Sequence, residues 1–277
     1  RQCRSPPAAP FTAMKHISLP LLCTLVLLCA CARQPAMETP SPEARAHLEQ
    51  TWQRYAAADD AVVPAPYRLQ LSLRFGTEGD TRRVTALFWG NGQRKLRMDV
   101  MAGVGATVAN ILEDGQHFLV FAPNEHKAYF HQGANKPLLQ VGVPVPFNLD
   151  HLADLLNGRY AQVFGRDYAE AAVQADGLAR YTLEGKPGGS LTLSAQGLPV
   201  AWSENAHGAK GWSMEILYTD DASPLPRRLN LTHSNGKRAI VLVKEREKPA
   251  QAFTEAQLSL PLPEDVPLLP LSQFKQR

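Results

Sequence analysis

Cys31 carries the most definite chemistry in this chain. It closes the run Leu28-Cys29-Ala30-Cys31, behind Met14-Lys15-His16 and the apolar stretch of residues 17–28. A positive start, a short apolar run and small residues before a cysteine make the pattern of a bacterial lipoprotein signal. The Cys31 thiol can take a thioether-linked diacylglycerol, and cleavage before it frees an amine for a further acyl chain. Two or more chains make such an anchor stable, where one alone is marginal. The apolar run is too short for a hydrocarbon core of ~30 Å, which argues against a retained span. Residues 1–13 precede Met14 and are read as lying upstream of the initiator. The expectation is that residues 1–30 are removed and that residues 31–40, rich in Pro and Ala, form a lipidated tether.

Other chemistries find no support in the residue pattern. No Gly-x-Ser-x-Gly turn is present to raise a hydrolase nucleophile. His117, His126 and His131 are close in sequence, but 126 and 131 differ by an odd number and would face opposite sides of one strand, so no metal site is expected. Asp59-Asp60 and Asp220-Asp221 read as solvated turn residues rather than a glycosidase pair. Gly103-x-Gly105 does not open a helix after a parallel strand, so it is not a dinucleotide fingerprint. Without its signal the chain keeps Cys31 as its only cysteine, which excludes thiolate metal sites and disulfides. The 29 basic and 26 acidic residues become 26 and 26 once Arg1, Arg4 and Lys15 are set aside, so there is no basic excess for a nucleic-acid partner. Neither a catalytic residue nor a cofactor is expected, and the protein is read as a monomer and not an enzyme.

The elements beyond the tether explain what the anchor would hold. Ser41 can cap a helix with Pro42 at its first position, and Leu48, Trp52 and Tyr55 recur at helical spacing. From Tyr67 the period becomes two. Leu69, Leu71, Leu73 and Phe75 alternate with Arg68, Gln70, Ser72 and Arg74, followed by Val84, Ala86 and Phe88. Asn91-Gly92 signals a tight hairpin into Leu96, Met98 and Val100. Further strands are predicted at 106–112, 117–121, 127–130, 178–184, 190–194, 200–203, 212–218, 228–233 and 239–244. Between them Asn148 caps a second helix, with Phe147 and Leu152 as a hydrophobic staple, Leu149, Leu155 and Leu156 on the same stripe, and Asn157-Gly158 at its end. The predicted fold is mainly β with an α lid. A single curled antiparallel sheet of about ten strands, a half-barrel, would be covered by helices around an apolar cavity over residues 41–247. Leu69, Leu71, Leu73, Phe88, Leu96, Met98, Trp212, Met214 and Ile216 are the candidate lining, suited to acyl chains. Residues 248–277, with a Pro-Leu pattern, form an extension.

Several segments in order carry a resemblance. Ala86-Leu87-Phe88-Trp89, the basic stretch 94–97, the loop Gly103-Val104-Gly105-Ala106-Thr107, Val143-Pro144-Val145-Pro146-Phe147-Asn148-Leu149, Gly211-Trp212 with Tyr218, and the closing strands around Leu229, Leu231 and Gly236 are similar to the LolB family of outer-membrane lipoprotein receptors. The resemblance spans residues 67–244. It implies a half-barrel with a helical lid, shared with the soluble periplasmic carrier LolA, and a receptor that accepts lipoproteins from that carrier and places them in the outer membrane. In that family a loop between two strands carries an exposed apolar residue that enters the membrane. The matching position is Val104, within Met101, Gly103, Val104 and Gly105, and the family has leucine there. Ala32 rather than Asp follows Cys31, which by similarity to other diderm lipoproteins implies an outer-membrane anchor and a domain facing the periplasm. The partners so implied are lipoprotein acyl chains, a LolA-like carrier and outer-membrane lipids. A divergent envelope lipoprotein with a structural, assembly or other lipid-binding role, not an enzyme, fits the same anchor and sheet.

Overall fold

In the computed structural model, residues 41–103, 105–133, 137–141, 145–185, 187–205, 210–219 and 223–274 are described. Cys31, the tether, Val104 and Asp220-Asp221 lie outside them. Helix α1 (Pro42–Asp60) begins where the sequence places it, with the Ser41 hydroxyl oxygen accepting from the Ala44 N–H at 3.1 Å. Pro42 has no N–H to leave unpaired in this first turn. Leu48, Trp52 and Tyr55 are buried along one face.

Strands β1 (Tyr67–Thr77), β2 (Asp80–Gly90), β3 (Leu96–Ala102), β4 (Ala106–Glu113), β5 (His117–Ala122) and β6 (Lys127–Gln132) form a first meander. Helices α2 (Pro137–Gln140), α3 (Leu149–Leu156) and α4 (Tyr160–Phe164) interrupt it. Strands β7 (Tyr168–Val173), β8 (Ala179–Leu183), β9 (Ser190–Leu193), β10 (Pro199–Ser203), β11 (Trp212–Leu217), β12 (Arg228–His233) and β13 (Arg238–Glu247) form a second. Helix α5 (Glu255–Leu258) and strand β14 (Leu268–Pro270) follow. One unclosed sheet of 14 strands results, in the order β14-β6-β5-β4-β3-β2-β1-β13-β12-β11-β10-β9-β8-β7. Its neighbours are antiparallel except β14, which adds parallel to β6.

Registers show why one face is apolar. Tyr129, Val120, Ile111, Met98, Phe88 and Leu69 stand opposite one another in a row across β6 to β1. A second row runs Tyr181, Leu191, Trp202, Met214, Leu231 and Ala239 from β8 to β13. Because side chains alternate across a strand, these residues share a face, and all are buried. Covering them falls to the helices. Leu149, Leu152, Leu155 and Leu156 of α3 are at most 2% exposed, and Phe147 and Phe164 approach Trp202 with ring centroids 5.6 and 6.2 Å away. Trp52 of α1 sits 4.7 Å from the Tyr181 ring and 4.8 Å from that of Tyr168.

The structure corrects several expectations. Among the described residues there are 14 strands rather than about ten; β7 and β14 are the two absent from the twelve segments read in the sequence, because they lack an alternating apolar pattern. The Asn91-Gly92 connection is not a two-residue turn, since β2 ends at Gly90 and β3 begins at Leu96. Asn91 is instead spent on the tail, donating to the Phe253 carbonyl at 3.0 Å and accepting its N–H at 2.8 Å. Asp59 is no solvated turn residue. It is 5% exposed, accepts from the Ala161 N–H at 2.9 Å and pairs with Arg166 at 3.0 Å, which fastens α1 to α4. Residues 253–259 of the tail lie on the outer face, where Trp89 donates to the Gln257 carbonyl at 3.1 Å and Arg97 donates to that of Ser259.

Candidate functional site

Three strands of the first meander and one of the second bring the candidate lining together. Leu69, Leu71 and Leu73 on β1 alternate with Arg68, Gln70 and Ser72, and Leu69 faces Phe88, which faces Met98. Leu73 faces Val241, Val241 faces Leu229, and Leu229 faces Ile216, so β11 joins the same surface through β12 and β13. Leu69, Leu71, Leu73, Phe88, Leu96, Met98, Trp212, Met214 and Ile216 are each at most 5% exposed and belong to one hydrophobic cluster with the α3 leucines. The lining is thus packed beneath its cover. Open recesses occur elsewhere, beside α1 at Glu43, His47, Gln50 and Gln53, and over the outer face of β8 to β12 at Ser190, Thr192, Ser213, Asn230 and Thr232. Of the candidate lining, only Met214 borders either.

The β3–β4 hairpin has exposed glycines at its end. Ala102 stands opposite Ala106, leaving a three-residue tip, and a register shift falls between Val100 and Met101. Gly103 and Gly105 are exposed with φ of 57° and 89°, the left-handed region where glycine has no steric penalty. A Cβ added at either would meet nothing within 4 Å. Met101 is half-buried, so the apolar character of the hairpin runs up to its tip.

A buried polar cluster pins the cover to the sheet, and sequence reasoning missed it. Glu113, at the end of β4 and 7% exposed, accepts the Leu149 N–H at 3.0 Å, one of the amides left free by the first turn of α3. Asn148 accepts the His151 N–H at 2.7 Å in the same turn. Arg94 reaches across to Asp150 at 2.7 Å and lies 3.9 Å from Glu113, while Asp154 pairs with Arg159. The Tyr67 hydroxyl is buried nearby with no hydrogen-bond partner among the described residues. Burial, and secondarily the Asp150 charge, push the Glu113 carboxyl up to about 7, and burial lifts Asp154 to about 6.

A carboxyl whose value is raised in the folded state binds its proton more tightly there than in the unfolded chain. Stability is therefore greatest at acid pH for this group and falls as pH climbs from 4.5, the ordinary value, through about 7. Glu113→Gln keeps an acceptor for Leu149 without the buried charge. It should stabilise the protein by roughly 2 kcal/mol at about pH 8 and flatten the fall between about pH 5 and 8. Urea midpoints across that range check this, and a variant as pH-dependent as the natural chain would assign the fall to other groups.

The described residues hold no group of three or more His, Cys, Asp or Glu placed to grip a metal ion. His117 pairs with Asp114 and His126 with Asp265.

The sequence matches no protein-family model and no curated protein. Solved structures do match it. A LolA-superfamily protein from Nitrosomonas europaea superposes with a TM-score of 0.50 at 12% identity, covering 78% of this chain and 97% of that one. This chain has a LolA-like fold. A domain proposed to be an outer-membrane lipoprotein-sorting protein, from Vibrio parahaemolyticus, gives 0.52 at 11% identity with the same two coverages, 78% and 97%. A DUF1329-family protein from Desulfovibrio piger gives 0.51 at 8% identity over 76% of this chain and 97% of its own. The likeness at such identities concerns the path of the backbone and the curled sheet.

Proposed function

We propose that this protein is a membrane-anchored acyl-chain-binding receptor that accepts lipoproteins from a LolA-like periplasmic carrier and inserts them into the outer membrane. The observation that carries the reading is the one-sided sheet: two long apolar rows on a single open curl, covered by helices rather than by a second sheet. The fold likeness to a LolA-superfamily protein and to a proposed lipoprotein-sorting domain supports it. Since the lining is packed, an acyl chain enters by shifting α3 and α4, and the leucines of α3 then trade contact with the sheet for contact with the ligand. Each buried methylene of the chain contributes ~0.8 kcal/mol, so cargo moves toward whichever partner buries more of it, without a cofactor. The hairpin tip at Met101, Gly103, Val104 and Gly105 is the point of delivery.

The test is transfer of a fluorescent lipoprotein from a loaded carrier to this protein and then to liposomes, with native mass spectrometry of the protein extracted from membranes. A bound acylated species and two-step transfer are expected. Protein that carries no lipid and takes none from the carrier would end the receptor reading. The anchor has its own check. Cys31→Ala should shift the protein from the membrane to the soluble fraction or leave it at precursor mass, and undiminished membrane association after signal removal would refute acylation at Cys31.

A further inference from the structure

Strand order sets the β3–β4, β1–β2 and β12–β13 hairpins next to one another, and the registers put their turns at the same end of the sheet. Met101 stands opposite Thr85, and Arg238 stands opposite both Gly76 and Thr232. The first hairpin is uncharged over residues 100–109 and holds the exposed Gly103 and Gly105. The other two are basic. Residues 74–83 and 234–238 contain Arg74, Arg82, Arg83, Lys237 and Arg238, all exposed, against only Glu78 and Asp80. This is a local excess in a chain whose charges balance beyond its signal. Arg74 and Arg83 stand directly opposite each other on β1 and β2, a placement in which like charges repel. Arg83 donates to the Ser72 hydroxyl at 3.1 Å, and neither arginine pairs with a carboxylate among the described residues. Arg238 reaches Glu78 at 3.3 Å, but both side chains are more than half exposed and the pair contributes little to stability. Two residues beyond the Thr85–Met101 pair, β2 carries Arg83 and β3 leads into Gly103, so the opposed arginines flank the uncharged turn.

We infer that the basic β1–β2 and β12–β13 hairpin ends form a docking surface for an anionic phospholipid bilayer, with the uncharged β3–β4 turn beside them meeting the same leaflet. This deepens the receptor reading, on which it rests, by naming the lipid class at the point of delivery. Two opposed arginines with no carboxylate between them lower the stability of the sheet, and a layer of lipid phosphates supplies the missing counter-charge. The planar guanidinium suits that task, since its fork of donors matches a phosphate with two parallel hydrogen bonds. Cations gathered beside an uncharged segment are also how an interfacial element combines attraction to anionic headgroups with apolar insertion. An acidic protein surface would match the charges but not the uncharged turn next to them. The proposed anchor at Cys31 would hold the domain near a membrane without fixing how it is turned, and the basic hairpins would select the orientation that brings the β3–β4 turn to the leaflet.

The test uses the chain from residue 31 onward with Cys31→Ala, which has no lipid of its own and keeps every described element. Sedimentation with phosphatidylcholine vesicles, with and without phosphatidylglycerol, measures docking in the absence of cargo. Binding is expected to the anionic vesicles and to weaken as salt is added. Arg74→Gln together with Arg83→Gln should lower that affinity by about ten- to thirtyfold, while the melting temperature stays the same or rises as their repulsion is relieved. Arg74→Lys with Arg83→Lys should keep most of the binding, because the charge remains. Lys244→Gln with Lys248→Gln removes the same charge from the other end of β13 and should change it little. No preference for anionic vesicles, or equal losses from the two glutamine pairs, would overturn the inference. So would an Arg74 and Arg83 variant that binds vesicles normally but takes less lipoprotein from a loaded carrier, which would assign the arginines to a protein partner. Docking that depends on the arginines, in a protein that takes no lipoprotein from the carrier, would uphold the surface and sink the receptor reading.

Discussion

Leu71→Glu is expected to cost roughly 3–5 kcal/mol of stability and to abolish acyl-chain binding in whatever protein still folds. Leu71 is fully buried, between Ala86 of β2 and Val243 of β13 at the centre of the sheet. A carboxylate there has apolar neighbours on both sides, so it must be desolvated, protonated, or brought to water by breaking the packing. A typical domain has only ~5–15 kcal/mol to lose, so the urea midpoint should fall steeply. Gln70→Lys is the matched control. Gln70 stands on the other face opposite Glu245, where a lysine finds a partner, so stability should move by less than about 0.5 kcal/mol. Equal damage from both variants would mean that the two faces are not distinct.

Val104→Asp should do the reverse, sparing the fold and stopping delivery. The glycines on either side of Val104 sit in open space, so a substitution at the tip should shift the melting temperature little. If the tip enters the bilayer, a carboxylate meets an environment that penalises charge by ~2.5–3.5 kcal/mol at its centre, and transfer to liposomes should slow by ten- to a hundredfold. Loading from the carrier should be unaffected. Val104→Leu should deliver at least as well as the natural chain. Normal delivery by Val104→Asp would remove the insertion role, and a large fall in melting temperature would show a buried residue.

The sequence discloses the sheet wherever packing has imprinted a period on it. In β1, Leu69, Leu71 and Leu73 alternate with residues of the other face, and the buried apolar positions follow that alternation, Ser72 being the one buried residue of the opposite face. The cap at Asn148 and the leucine stripe of α3 are equally legible, because helix ends and faces are local matters. Strand β7 is not, since as an edge strand of Ala171, Ala172 and Glu170 with exposed positions it bears no buried stripe to record. Strand β14 is hidden by its prolines. The Glu113–Leu149 contact joins residues far apart in sequence, and a lone glutamate at a strand end has no local pattern. Alternation identifies which side chains face inward, whereas whether they meet each other or a ligand depends on how the helices sit above them.

The strand order also dictates a sequence of assembly. Nearly every pairing in the sheet is between strands that follow one another along the chain, so each meander can zip up as its residues become available. The exceptions are the late addition of β14 to β6 and the seam between β1 and β13, which brings Arg68 to Glu247. That junction lies in the middle of the sheet, and loop closure across most of the chain makes it the slow, high-contact-order step. Until it closes, two half-sheets each expose an unprotected edge and an apolar face. A chain synthesised from its N-terminus therefore presents its first meander long before β13 arrives, and that interval is when it is most exposed to aggregation.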